Sequence, residues 1–241
     1  MTPDPLHTDS GGVPWTGRAL SPSGFEGDDG SAEPAVARAV AAGDLSGVVA
    51  ALPGVRLLVP VVADGGDIAL VTLTAPDGRR ALPAFTCTSA LAAWDASARP
   101  VPVAARRAAL SAVDEGCELI VLDPGTASLL LPRPAVWALA QGAEWVPSPR
   151  RDDVAQALRR AVTGVPEVTG VHGEPGRRAE LAVVLAVRSG LSREELADVT
   201  ARVGQALATE QVVADHVDSV ELRILSACPP AIKEFPVDPR A

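Results

Sequence analysis

From residue 55 onward, near-continuous apolar runs alternate with short polar turns and with stretches of helical periodicity. Val55 to Ala63 carries Leu57, Leu58, Val59, Val61 and Val62 almost unbroken, which predicts a strand covered on both faces. Asp64-Gly65-Gly66-Asp67 is a turn, so Ile68 to Thr74 is expected to fold back as a hairpin. Pro76-Asp77-Gly78 then turns the chain into a third strand, Arg80 to Thr86, and Thr88 or Ser89 is expected to cap a helix running to Trp94. Upstream, Pro34 to Ala42 reads as a helix with proline in its first turn and Gly43 as its stop, and Asp44 opens a second one to Leu52.

Past Trp94 the pattern becomes α/β. A strand at Pro100–Val103 precedes a helix, Ala104 to Glu115, closed by Gly116. Glu118 to Leu122 is a buried strand that ends at Asp123-Pro124-Gly125, and Ser128 to Leu131 is a further strand. Helices follow at Arg133–Gln141 and Ser148–Val162, the second with Val154, Ala157, Leu158 and Ala161 on one face. In the last third, Glu167–His172 and Ala179–Val187 flank a turn at Gly173-Glu174-Pro175-Gly176. Ser192-Arg193-Glu194-Glu195 fits a capping box, with Leu191 and Leu196 placed as a staple and Leu196, Val199, Val203 and Leu207 as the buried stripe. Val217 to Leu225 closes that unit, Val220, Leu222 and Ile224 alternating with Glu221 and Arg223.

The expected class is therefore α/β (α+β). A mixed-sheet domain spans 34–146, a connecting helix and linker 147–164, and a small ββαβ domain 165–227, between an acidic Gly/Pro-rich leader (1–33) and a tail (228–241). Composition sharpens this picture. Hydrophobic residues make up 47% of 241, enough for a packed core, yet only seven are aromatic, so Ala, Val and Leu must build it. The net charge of −9 argues against nucleic-acid binding, which needs a basic face. The leader holds six acids and one base, so it supplies −5 of that charge. No apolar run approaches a membrane span, the opening residues lack the charged and apolar regions expected of a signal peptide, and three cysteines without paired spacing fit a reducing cytoplasm.

Candidate chemistry is sparse. Cys87 follows a strand at a helix start but lacks the Gly and Arg of a thiolate-cradling loop, and Cys117 and Cys228 sit among small apolar neighbours; all three read as structural. Asp215-His216-x-Asp218 with His172 has no metal-loop spacing and reads as a solvated turn, so neither a metal nor a cofactor is expected. Gly24-x-x-Gly27-x-x-Gly30 is too acidic for phosphate and follows no strand. Asp123, at the end of a buried strand, stands where doubly wound sheets place ligand-contacting acids, although the following Pro-Gly also fits a plain turn former. No catalytic residue is assigned.

Three motifs stand out in the first domain: Leu58-Val59-Pro60-Val61, Ala81-Leu82-Pro83-Ala84-Phe85-Thr86 with Trp94, and Ile120-Val121-Leu122-Asp123-Pro124. Upstream of them lie Val13-Pro14-Trp15-x-Gly17-Arg18 and Phe25-x-x-Asp28-Asp29-Gly30. Together these segments resemble the SseB ("enhanced serine sensitivity") family in an actinobacterial form, the upstream pair looking like that form's leader. The resemblance implies an SseB N-terminal domain near Ala35–Trp145 and a C-terminal domain near Thr163–Ala227, and it brings no active site with it.

The function expected is binding to an unknown protein partner, as a cytoplasmic adaptor or regulator of unspecified oligomeric state. The alternative is a small-molecule sensor or enzyme of amino-acid or sulfur metabolism with a pocket near Asp123 and Phe85. Trp15, Arg18, Phe25, Asp28, Asp29 and Asp123 are the candidate binding residues. Trp15 and Phe25 are expected to dock on the first domain, with Asp28 and Asp29 favouring the start of the Pro34 helix.

Overall fold

Helices and strands alternate through the computed structural model, which describes residues 24–64 and 67–226. Trp15, Arg18 and Cys228 lie outside those residues. Helices α1 (Pro34–Ala41) and α2 (Leu45–Ala51) pack against each other, α2 starting where the Asp44 carboxylate accepts from the Gly47 amide at 3.0 Å. Strands β1 (Arg56–Asp64), β2 (Asp67–Leu70) and β5 (Arg99–Ala104) make a sheet in the order β2-β1-β5, antiparallel throughout.

The stretch expected as one strand to Thr74 breaks after Leu70, and β3 (Leu73–Thr74) joins a different sheet. That sheet runs β3-β4-β6-β7, with β4 (Arg80–Ala84) parallel to β6 (Leu119–Leu122), and with β3 and β7 (Leu129–Leu131) antiparallel on the outside. One bridge stitches the two sheets together. The Leu58 and Phe85 amides each donate to the other's carbonyl at 2.8 Å.

The prolines in these strands fit because of where their absent amides point. Leu58 turns its backbone groups toward Phe85, so its opposite neighbour Pro102 faces the free side of β5, and Pro100 opposite Pro60 repeats the arrangement. Pro83 falls on the side of β4 between its pairing with β3, at Ala81, and the bridge to β1, at Phe85, where no ladder partner is waiting.

Helices α3 (Thr88–Trp94), α4 (Ala105–Asp114) and α5 (Arg133–Gln141) complete this part. The N-cap of α3 is Cys87, not Thr88 or Ser89, and no side chain caps it; the Thr88 amide is taken instead by the Gly30 carbonyl at 2.9 Å. Val36, Leu57, Leu82, Ala108, Ile120, Leu122 and Leu139 belong to one buried cluster, while Leu58, Phe85, Leu91 and Ala98 form a smaller one beside it.

A second large cluster gathers the remaining elements. Strands β8 (Val168–Pro175), β9 (Leu181–Val187) and β10 (Val220–Ser226) form a sheet in the order β10-β9-β8, with β10 parallel and β8 antiparallel to β9. Leu181, Val183, Leu185 and Val187 pack with Val199, Val203 and Leu207 of α7 (Arg193–Thr209), the helix that opens on the expected Ser192/Glu195 capping box. The segment 148–162 is not one helix. A 3-10 turn at Ser148–Arg150 is followed by α6 (Asp152–Ala161), whose apolar stripe lies in this second cluster. A short helix unforeseen from sequence, α8 (Gln211–His216), precedes β10. The β8–β9 reversal falls at Gly176–Glu180 rather than at Gly173–Gly176, because β8 is an edge strand. The Gly176 amide bonds to the Glu180 carbonyl, which by alternation directs the missing amide of Pro175 outward. No described helix is long and apolar enough to cross a membrane.

Candidate functional site

The N-terminal end of β1 carries a charge inside an apolar run. Arg56 is drawn under the leader turn, with its side chain only 8% exposed. Its Nε and Nη2 both donate to the Asp28 carboxylate, the second at 2.7 Å, in the forked arrangement that suits guanidinium and carboxylate. Nη1 donates to the Thr86 carbonyl and Nη2 to the Ser31 carbonyl, each at 2.8 Å. The Arg56 guanidinium and the Gly30 amide together hold the Asp28 carboxyl down to about 2.

Thr86 is held in turn from the other side. Asp123, 5% exposed, accepts the Thr86 amide at 2.8 Å on Oδ1 and the Thr86 hydroxyl at 2.7 Å on Oδ2. Asp123 has φ +49, in the left-handed region that aspartate reaches more readily than most residues, and its carbonyl accepts from Thr126 and Ser128. A continuous polar chain thus runs Asp28–Arg56–Thr86–Asp123, bringing together two of the candidate residues picked from sequence. Asp123 spends its carboxylate on the corner where β4 meets α3. Beside it the Phe85 and Trp94 rings pack with centroids 5.4 Å apart, Phe85 fully buried and Trp94 half-buried.

The other candidates are placed differently. Phe25 is half-buried in the leader turn. Asp29 does not serve α1: its carboxylate accepts from the Ser31 amide at 2.8 Å, and the first turn of α1 holds no acid. Asp28, claimed by Arg56, does not serve it either. A groove of about 830 Å³ separates this turn from the α2–β1 connection, with Phe25, Asp28, Glu33, Pro53 and Arg56 among its walls.

Sequence reasoning missed two features. Asp218, expected in a solvated turn, has a side chain 4% exposed and ties the two large clusters together. It accepts from Arg79 Nη1 at 2.7 Å, from Arg79 Nη2 at 3.2 Å and from the Arg133 amide at 3.0 Å. Its own amide donates to Glu180, which also accepts from the Ser148 amide. Hydrogen bonds to Asp218 first, and to Asp77 after it, raise the already high pKa of Arg79. The second missed feature is Trp137, 45% exposed on α5 at a groove of about 440 Å³ shared with Trp145, Arg151 and His216. Cys87 is half-buried and free, and Cys117 is buried, which pushes its thiol up. Among the described residues no group of His, Cys, Asp and Glu could hold a metal ion.

Mixed sheets flanked by helices and a leader turn pinned to the first strand define an α+β protein. A family model, the SseB protein N-terminal domain, matches residues 33–138, so over that stretch the chain is similar to the SseB family. No curated protein matches the chain, and no solved structure does.

Proposed function

We propose that this chain is a non-catalytic cytoplasmic adaptor or regulator that acts by binding a protein partner. The observation that carries the reading is Trp137. An indole left 45% exposed on a helix, with Arg133 one turn before it and Gln141 one turn after, is the residue pattern from which interface hot spots are made. The groove beside it offers Pro134, Trp145 and His216 as further walls. The rival reading, a small-molecule pocket near Asp123 and Phe85, draws less support, since Phe85 is fully buried and both Asp123 oxygens are taken by Thr86. The C-terminal unit and the actinobacterial form of the family belong to the same proposal.

The test is affinity capture from the native cell extract with wild-type and Trp137→Ala bait, together with metabolite profiling of the purified protein. An exposed residue costs little to remove, so the melting curve should move by no more than about 0.5 kcal/mol equivalent. The captured partner should be lost, as expected when a hot spot of about 2 kcal/mol or more is truncated. An unchanged set of captured proteins, or a stoichiometric co-purifying metabolite, would overturn the reading.

A further inference from the structure

A guanidinium as buried as that of Arg56 needs a partner, and the structure divides its partners into two groups. The Thr86 carbonyl belongs to the body, fixed from behind by Asp123, so this half of the seat stands without the leader. The Asp28 carboxylate and the Ser31 carbonyl belong to the leader turn, and next to them the Thr88 amide donates to the turn's Gly30 carbonyl.

The leader turn is a weak occupant by construction. Gly24, Gly27 and Gly30 all take left-handed backbone, with φ of +79, +85 and +81, so ordering the turn costs much chain entropy. Asp29, adjacent to the paired acid, spends its carboxylate on Ser31 rather than on Arg56. Tethering compensates for this, because a short flexible link holds the turn near its seat at an effective concentration of the order of millimolar. An untethered segment with a stiffer backbone does not carry that entropy cost, and the 830 Å³ groove alongside gives it a way in.

We propose that Arg56, with the Thr86 carbonyl and the Thr88 amide, is a recognition site for an aspartate-bearing segment of a protein partner, filled here in cis by Asp28 as a displaceable stand-in. The site is independent of the Trp137 surface.

The probe is a fluorescein-labelled peptide with the sequence of residues 24–31, titrated against full-length protein by fluorescence anisotropy. Asp28→Asn empties the seat of its carboxylate and should bind the peptide at least tenfold tighter than wild type. Adding Arg56→Gln should abolish the gain, as should a peptide with asparagine in place of both aspartates. Gly30→Ala is the second route to the same state. Its Cβ would come within 2.7 Å of the Thr88 Cγ2 at a φ of +81, loosening the turn while leaving Arg56 intact, so it too should gain affinity. Trp137→Ala should not alter peptide binding, which separates failure here from failure of the adaptor reading. Equal affinity of wild type and both variants, or binding that survives Arg56→Gln, would overturn the proposal.

Discussion

Asp218→Ala should uncouple the two large hydrophobic clusters while leaving each nearly intact. The substitution deletes a carboxylate with a 4% exposed side chain, together with three hydrogen bonds, two to Arg79 and one to the Arg133 amide. Breaking a buried ion pair by removing one member costs about 3–5 kcal/mol. Arg79 is 22% exposed and keeps Asp77, so water and that second acid recover part of the loss, and the expected cost is about 2–3 kcal/mol. The chain supplies its own reporters. It has no tyrosine, and its four tryptophans (Trp15, Trp94, Trp137 and Trp145) all precede α6, so intrinsic fluorescence in urea is weighted to the first part, with Trp137 and Trp145 also sensing the groove they share with His216. Far-UV circular dichroism follows both. In the wild type the two signals should change together; in Asp218→Ala, circular dichroism should show an earlier step that fluorescence does not. Arg79→Met should complete a double-mutant cycle with a coupling of about 1 kcal/mol or more. A loss below about 0.5 kcal/mol with coincident transitions would show that the seam contributes nothing to joining the two parts.

Phe85→Ala should cost roughly 3–5 kcal/mol, since it empties a fully buried site against Trp94 at the bridge between two sheets; near-wild-type melting would refute that placement. Acid should release the leader. A carboxyl whose folded pKa is depressed from 3.8 to about 2 contributes stability that is complete above pH 4 and disappears as pH falls toward 2. Monitoring the leader turn by NMR should therefore show it detaching in that window in the wild type but already detached in Asp28→Asn at neutral pH. A wild-type turn that detaches above pH 5 would place the anchor elsewhere.

Most elements were legible because their signals are local. The Ser192/Glu195 capping box, the Asp44 cap and the left-handed Gly116 are encoded within a few residues of where they act. The site was legible only in fragments. Asp28 and Asp123 were picked from sequence, but Arg56, which joins them through Thr86, looked like one polar letter in an apolar strand, and its pairing with Asp28 spans 28 positions. Arg79 and Asp218 are 139 positions apart, beyond any periodicity. Trp137 sits in Arg-Pro-Ala-Val-Trp-Ala-Leu-Ala-Gln, a helix so apolar that the sequence alone does not mark which face stays open. The sheet change after Leu70 was hidden for a similar reason, since strand propensity carries on through Val71 and Thr72.

The prolines of β5 have a consequence for growth of the first sheet. Along its outer edge β5 presents Pro100, Pro102 and Ala104, so only one of those three positions can donate a hydrogen bond to an incoming strand. An approaching chain would find acceptors without the donors that complete a ladder, which makes that margin a poor template for strand addition and for fibril-like stacking. The border of the sheet is thus guarded by chemistry absent from the backbone rather than by a covering element, and Pro102→Val would restore a donor to it.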